Sequence, residues 1–65
     1  MKVRVNGEVR EVAEKTTVLA LIVSLGLKPD RVAAELNRQL VRSGGYDVEL
    51  REGDEVEIVT FAGGG

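Results

Sequence analysis

The chain contains no cysteine and no histidine among its 65 residues. Without cysteine it can form neither a disulfide nor a thiolate-bound zinc site. Without histidine it lacks the most common general base and the most common metal ligand. Ser/His/Asp and Cys/His catalytic sets are therefore excluded, and the sequence argues against an enzyme that uses its own side chains for catalysis.

Aromatic residues and prolines are also scarce. The chain has one Tyr, one Phe, no Trp and a single Pro, while 43% of its residues are hydrophobic. Any core must therefore be built mainly from aliphatic side chains. A chain of this length buries only about 60% of the surface that its unfolded form exposes, so we expect one small domain with a thin margin of stability.

Long apolar segments and a cationic surface are missing as well. The longest apolar run, residues 18–23, is much too short to cross a bilayer, and the first residues alternate charges with valines, unlike a signal peptide. The net charge of -2 argues against general nucleic-acid binding. We therefore expect a soluble, cytoplasmic protein with no membrane and no nucleic-acid partner.

The charge is unevenly distributed along the chain. Residues 1–46 carry eight Lys/Arg and five Asp/Glu, whereas residues 47–65 carry one Arg and six Asp/Glu. A partner that meets the acidic segment would gain from basic residues of its own. The acids around Gly53 do not follow the spacing of a calcium loop, so we interpret them as a solvated turn and strand edge and predict no metal site.

Apolar residues at a spacing of two predict a strand at the start of the chain. Valines alternate with charged residues over positions 2–5, and Asn6-Gly7 is a strong signal for a tight hairpin. The return strand is predicted at residues 8–13. Two valines of this return strand lie three positions apart rather than two, which indicates a bulge or an early exit from the sheet.

Helical spacing of apolar residues predicts one helix at residues 18–25. Thr16 and Thr17 are candidate N-caps, and Gly26 suits the position that follows the C-cap. The remaining predicted elements, in chain order, are a strand at residues 32–36, a turn at 37–39, a short strand at 40–42, a helical turn near Tyr46, a core residue at Leu50, a turn at 52–54 and a last strand at 55–61.

The predicted order is therefore β-β-α-β-β-β, which is typical of an α+β domain. We expect a mixed sheet of four to five strands with one main helix packed on one face, and with the first and last strands as central neighbours. The domain is predicted at residues 1–61, followed by a flexible glycine tail at residues 62–65.

The tail is the most informative segment of the sequence. Three glycines, Gly63, Gly64 and Gly65, follow almost directly from the last strand. A frayed end is one interpretation. The other uses the small size of glycine, which lacks a Cβ and can thread through a narrow channel. An activating enzyme could then bring the Gly65 carboxylate to the α-phosphate of ATP and form an acyl adenylate, with pyrophosphate leaving.

With these features the chain resembles the ThiS family of thiamine-pathway sulfur carriers, small relatives of ubiquitin, over almost its whole length. The matching segments are VRVNGE, TTVLALIVSLGL, VAAELN and GDEVEIVTFAGGG. The resemblance implies a β-grasp fold and adenylation of Gly65 by a ubiquitin-activating-type, ThiF-like adenylyltransferase. It also implies a thiocarboxylate whose sulfur passes to a ThiG-like thiazole synthase. No cofactor is expected on the carrier, because the ATP is used by the activating enzyme.

Two apolar surfaces are candidate partner interfaces. Val59 and Phe61 lie on the face of the last strand opposite the predicted core, beside Ala62, where the family usually carries a larger apolar residue. Either they form an open docking patch or Phe61 covers one end of the sheet. Leu19 and Val23 lie on the flank of the helix, and either pack under the loop at residues 43–46 or form an interface with a partner or with a second copy in a weak homo-oligomer.

Other functions share the same tail. A carrier for molybdopterin, cysteine or another sulfur product has the same fold and ending, and the short length of this chain favours the thiamine type. Two further alternatives stay open. One is a protein modifier that is joined through Gly65 to a lysine, and the other is a plain binding module or an engineered stable scaffold with a vestigial tail.

Overall fold

The computed structural model describes residues 1–61, and at Ser43 the backbone alone. Ala62 and the three glycines of the predicted tail lie outside the described residues, and so does the predicted boundary between domain and tail. The regular elements, in chain order, are β1 (Lys2–Val5), β2 (Glu8–Glu11), α1 (Val18–Ser24), β3 (Val32–Leu36), β4 (Gln39–Val41) and β5 (Glu55–Thr60).

The five strands found between residues 1 and 61 form one mixed sheet in the order β2-β1-β5-β3-β4. β1 and β5 are parallel, and the other neighbouring pairs are antiparallel. The buried side of α1 packs with the inward valines of β1 and with Val56 and Ile58 of β5 in one core. The predicted α+β architecture is therefore confirmed, with the first and last strands as neighbours at the centre.

The β1–β2 hairpin turns at Asn6 and Gly7, whose φ angles are 50° and 85°. Two successive positive φ values are typical of a type I′ turn, which matches the twist of the paired strands. The register of the pair is regular from its turn to Glu11, without a bulge, and β2 then ends. The predicted return strand is thus two residues too long, because the chain leaves the sheet early.

Helix α1 begins after Thr17, whose side-chain oxygen accepts a hydrogen bond from Ala20 N–H at 3.0 Å. This bond satisfies one of the free N–H groups of the first turn and confirms the predicted cap. The helix ends at Ser24, one residue before the predicted end, and Gly26 follows with a φ of 77°. No helix in the described part of the chain is long and apolar enough to cross a membrane.

The core between helix and sheet is entirely hydrophobic within residues 1–61. Leu50 fills it as predicted, and Tyr46 is also buried, with its hydroxyl donating to Val32 C=O at 3.4 Å. Burying one large aliphatic side chain contributes about 1.5–3 kcal/mol, so a small set supports the domain. The buried residues are Val3, Val5, Val18, Leu21, Ile22, Val32, Ala34, Tyr46, Leu50, Val56 and Ile58.

The β3–β4 hairpin corrects the predicted turn at residues 37–39. Asn37 and Arg38 alone form the turn, with φ angles of 51° and 72°, and Gln39 already belongs to β4. The predicted short strand at 40–42 is therefore shifted by one residue. The cause is a two-residue turn with positive φ at both positions, which pairs Leu36 with Gln39.

Two short 3₁₀ turns complete the chain path. Ser43–Gly45 is the helical turn that the sequence predicts near Tyr46, whereas Pro29–Arg31 is not predicted. Proline supports this second turn, because its fixed φ suits the first residue of a helical turn. β5 ends at Thr60, one residue earlier than predicted.

Candidate functional site

Strand β5 is the element that leads into the glycine tail. It lies at the centre of the sheet, between β1 and β3, and Val56 and Ile58 anchor it in the core. Just beyond the strand, Phe61 N–H still donates to Arg31 C=O at 2.9 Å. The chain is therefore held by the sheet up to the last described residue before the tail.

Asn6 holds β5 from the side of β1. Its Nδ2 donates to Ile58 C=O at 3.2 Å, and its Oδ1 accepts from Ile58 N–H at 2.7 Å. A carboxamide carries the same donor and acceptor as a strand backbone. The side chain of Asn6 thus continues the β1–β5 hydrogen-bond ladder by one step, after the main chain has turned away at the hairpin.

Asn37 holds β5 from the side of β3. Its Oδ1 accepts from Glu55 N–H at 2.9 Å, its own N–H donates to Glu55 C=O at 2.8 Å, and its Nδ2 donates to Asp54 Oδ1 at 3.0 Å. Sequence reasoning identified both asparagines only as turn residues. The available signal was the residue type, because asparagine both tolerates positive φ and brings a donor and an acceptor.

An apolar cluster lies on the face of the sheet that α1 does not cover. Val59 is 62% exposed and Phe61 is 56% exposed. Ala33 stands opposite Val59 in the register, and Leu40 lines the same shallow hollow as Ala33 and Phe61. We call Ala33, Leu40, Val59 and Phe61 the open-face patch. Its role as an interface stays a prediction, and Ala62 lies outside the described residues.

Two glutamates border the open-face patch. Glu35 of β3 and Glu57 of β5 stand directly opposite each other, and Leu40 stands opposite Glu35 on its other side. Both glutamates are exposed. Like charges at directly opposite positions destabilise a sheet. A basic group of a partner placed between them would remove this repulsion, so the surface combines an apolar contact with an attraction for cations.

The flank of α1 is only partly covered. Leu19 is 41% exposed and Val23 is 57% exposed. Leu19 N–H donates to Tyr46 C=O at 2.8 Å, and its side chain lines a hollow with Gly44 and Tyr46. The loop that follows β4 therefore contacts Leu19 and leaves most of Val23 open. An interface on this flank also stays a prediction.

The described residues contain little that could perform chemistry. Within residues 1–61 no group of three or more acidic side chains is arranged to hold a metal ion, and none of the polar or charged side chains is buried. What this part of the chain supplies is a firm support for β5 and surfaces suited to contact.

Within residues 1–61, the chain forms a mixed sheet that holds a single α-helix, with parallel first and last strands at its centre. This architecture defines a β-grasp protein of the ubiquitin-like class. The family model described as "ThiS family" matches residues 3–65 of this chain. The match covers nearly the whole sequence, including the glycine tail. The chain therefore belongs to the ThiS family.

Solved structures show the same fold. The crystal structure of the thiamine biosynthesis protein ThiS from Geobacter metallireducens is 33% identical, covers 100% of both chains and superposes with a TM-score of 0.82. The solution structure of a thiamine biosynthesis protein from the same organism is also 33% identical, with a TM-score of 0.81, over 100% of this chain and 88% of that one.

Two longer proteins contain a region similar to the whole chain. They are thiazole synthases from Magnetococcus marinus and Paramagnetospirillum magneticum, each 42% identical over 66 residues. The match covers 100% of this chain and 20% of each of them. The chain thus spans about a fifth of the length of these relatives, and their remaining parts have no counterpart in it.

Proposed function

We propose that this chain is a sulfur carrier of thiamine biosynthesis. Its Gly65 carboxylate is adenylated and converted into a thiocarboxylate, which donates sulfur for the thiazole ring. The observation that carries the proposal is the ThiS family match, which includes the three glycines. The position of β5 supports it, because an anchored central strand leads directly toward these glycines. In this role the chain is the substrate of an activating enzyme and not itself an enzyme.

The chemistry of the proposal needs only the end of the main chain. A carboxylate oxygen of Gly65 attacks the α-phosphate of ATP, and pyrophosphate leaves. A sulfur nucleophile then attacks the acyl carbon, so that a carbon–sulfur bond forms while the bond to the AMP oxygen breaks. Gly63 and Gly64 carry no Cβ and can pass a narrow channel to the nucleotide. The carrier itself binds no cofactor, since the ATP is held by the activating enzyme.

Two partners follow from this chemistry: a ThiF-like adenylyltransferase and a thiazole synthase. The two thiazole synthases that contain a similar region support the second partner. We assign docking to the open-face patch together with Ala62, since Val59 and Phe61 are the exposed apolar residues nearest the tail. The neighbouring glutamates favour partners with basic residues around an apolar contact.

The central experiment is intact-mass measurement after co-expression with a ThiF-like enzyme and a sulfur source. We expect the mass to rise by the difference between sulfur and oxygen. The matched control is Gly64→Val, which keeps the carboxylate but introduces a branched side chain into the threaded segment, and we expect no change for it. Conjugates of much higher mass would favour a protein modifier instead. An unchanged mass for the wild-type chain would contradict the proposal.

Growth separates the sulfur pathways. A bacterial strain that lacks its own carrier of this family should recover growth without thiamine when this chain is supplied. Recovery of a molybdopterin- or cysteine-dependent function instead would assign the chain to one of those pathways.

The docking surface is tested by Phe61→Ser. We expect binding to the activating enzyme to weaken ~10-fold, as for the loss of an aromatic interface residue. Val9→Ser is the matched control, because Val9 is a comparably exposed residue on β2, two strands away from β5. Equal binding by both variants would contradict docking at the open-face patch.

The helix flank is tested by Leu19→Glu. If the flank is a second interface, this variant should lose partner binding or self-association measured by light scattering. A monomer at high concentration, combined with unchanged partner binding by Leu19→Glu, would remove Leu19 and Val23 from the interface.

A further inference from the structure

In the described part of the chain, the C-terminal end of β5 has a neighbouring strand on one side only. β1 pairs with β5 as far as Val5 and Val56, because the hairpin turn begins at Asn6. β3, in contrast, accompanies β5 as far as Thr60. The last part of β5 therefore presents one main-chain edge toward the space that β1 has left.

The direction of each main-chain group in β5 follows from the hydrogen bonds that are formed. Phe61 N–H donates to Arg31 C=O at 2.9 Å, on the β3 side, whereas Asn6 N–H donates to Val56 C=O at 2.9 Å, on the β1 side. Alternate residues of a strand direct these groups to opposite sides. The N–H and C=O of Thr60 therefore point the same way as those of Val56, away from β3.

On the β1 side of β5, the main-chain groups of Ile58 have a hydrogen-bond partner, whereas those of Thr60 have none within residues 1–61. The carboxamide of Asn6 forms hydrogen bonds with both the N–H and the C=O of Ile58. Thr60 follows, and no residue of the described chain forms a hydrogen bond with its N–H or C=O on that side. Thr60 is itself an exposed residue, so a partner can reach its main-chain groups.

The residues beside the open edge at Thr60 are not of the kinds that usually prevent a strand edge from pairing with another chain. Exposed strand edges are usually guarded by lysine, proline or a bulge. Here the residues on either side of Thr60 are Val59 and Phe61, both apolar and both more than half exposed. Apolar side chains beside an open donor and acceptor favour pairing with another main chain, since they keep water from competing for the hydrogen bonds.

We propose that an extended main-chain segment of the enzyme that adenylates Gly65 pairs with β5 at Thr60. This inference rests on the function proposed above. An extended segment supplies one C=O for Thr60 N–H and one N–H for Thr60 C=O, as in strand addition to a sheet edge. It would lie beside Asn6 and extend the hydrogen-bond ladder that Asn6 continues on that side of β5.

Pairing at Thr60 would also fix how far the tail reaches. Gly65 lies five residues beyond Thr60, and a chain segment of that length spans at most about 18 Å. A strand pairing sets register as well as affinity. The enzyme segment therefore acts as a positioning element that determines where the Gly65 carboxylate stands relative to the nucleotide.

The test compares Thr60→Pro with Thr60→Val. Proline removes the N–H and places its ring toward the open edge, but it breaks no hydrogen bond to β3, and proline is tolerated where a strand N–H faces solvent. Valine keeps the N–H and the branched shape. We expect kcat/KM for ATP–pyrophosphate exchange by the activating enzyme to fall ~10-fold or more for Thr60→Pro and to stay near the wild-type value for Thr60→Val.

Amide hydrogen exchange of the wild-type chain gives a second readout that needs no variant. In the free chain we expect the Thr60 amide to exchange much faster than that of Phe61, which is bonded to β3. Adding the activating enzyme should protect Thr60 selectively. A Thr60 amide that stays unprotected in the complex would overturn the proposal. Protection in the enzyme-free chain that rises with carrier concentration would assign the edge to a second copy and would also overturn it.

The outcomes separate this inference from the proposed function. Suppose that Thr60→Pro and Thr60→Val support equal rates of ATP–pyrophosphate exchange, and that the wild-type chain supports this reaction normally. This result would overturn the pairing at Thr60 but not the proposed function. No pyrophosphate exchange with the wild-type chain would overturn the proposed function and the pairing together.

Discussion

The two halves of β5 are held in very different ways. The anchored half, residues 55–58, has β1 or Asn6 on one side and β3 or Asn37 on the other. Within residues 1–61, the exit half, which is Val59 and Thr60 with Phe61 just beyond the strand, keeps only the β3 side, and its side chains are exposed. One half of the strand is thus fixed from both sides, whereas the other half is held from one side only. In the function proposed above, the anchored half fixes the position of the strand and the exit half is the part that the partner contacts.

The largest expected effect comes from breaking the anchored half in the core. Ile58→Ala should lower the free energy of unfolding by about 2–5 kcal/mol, because it removes buried methyl groups and leaves a cavity. The matched change in the exit half is Val59→Ala, which should stay within about 0.5 kcal/mol. Urea denaturation followed by circular dichroism measures both.

If Ile58→Ala does not fold, Ile58→Val should still show a loss of about 0.5–1.5 kcal/mol. Equal stability changes at positions 58 and 59 would contradict the division of β5 into an anchored and an exit half.

A middle-sized effect is expected from removing the Asn6 side chain. Asn6→Gly keeps the positive φ of the turn but loses both hydrogen bonds to Ile58, so we expect a loss of about 1–3 kcal/mol. Asn37→Gly is the matched variant on the β3 side, and we expect a smaller loss, because its contacts are exposed to water. Thermal unfolding measures the order of the two variants.

The Asn6→Gly variant also tests whether Asn6 is what distinguishes Ile58 in the anchored half from Thr60 in the exit half. Without the carboxamide, the amide of Ile58 should exchange as fast as that of Thr60, since both then face the open edge. An unchanged, slow exchange at Ile58 would mean that Asn6 is not the group that protects this step of the strand.

The smallest expected effect concerns the charges beside the open-face patch. Glu57→Gln removes the repulsion with Glu35 and should raise the free energy of unfolding by about 0.2–0.5 kcal/mol at low salt. The gain should shrink at high salt, where exposed charges are screened. Glu14→Gln is the control, since it makes the same charge change in an exposed residue outside the sheet. An equal gain in both variants would assign the effect to net charge alone.

Much of the fold could be predicted from the pattern of neighbouring residues. The errors lie at strand boundaries and turns that this local pattern does not specify. The helix cap at Thr17 and the hairpin at Asn6-Gly7 depend on neighbouring residues, and both are confirmed. The end of β2 and the boundaries of β4 depend on how far the neighbouring strand continues. This length cannot be read from the residues of β2 or β4 themselves. The second asparagine turn, at Asn37 and Arg38, lacks the glycine that marked the first.

The candidate site was likewise predictable only in part. The alternation of residues in β5 was enough to place Val59 and Phe61 on the face opposite the core. The same alternation could not predict that Ala33 and Leu40 belong to the open-face patch. Their position beside Phe61 depends on the pairing of β3 with β4 and β5. The glycine tail is evident in the sequence alone, and its chemistry remains a proposal.

The order of the helix and the strands, and the kinds of side-chain chemistry that are absent, depend on residue type and on short-range spacing, so they could be predicted from the sequence alone. Three other features became visible only in the folded chain: β1 ends before β5 does, the Asn6 side chain bonds to Ile58, and within residues 1–61 nothing pairs with the open side of Thr60. The physical reason is that a strand's neighbours, and the hydrogen bonds left without a partner, are set by contacts between residues far apart in the chain.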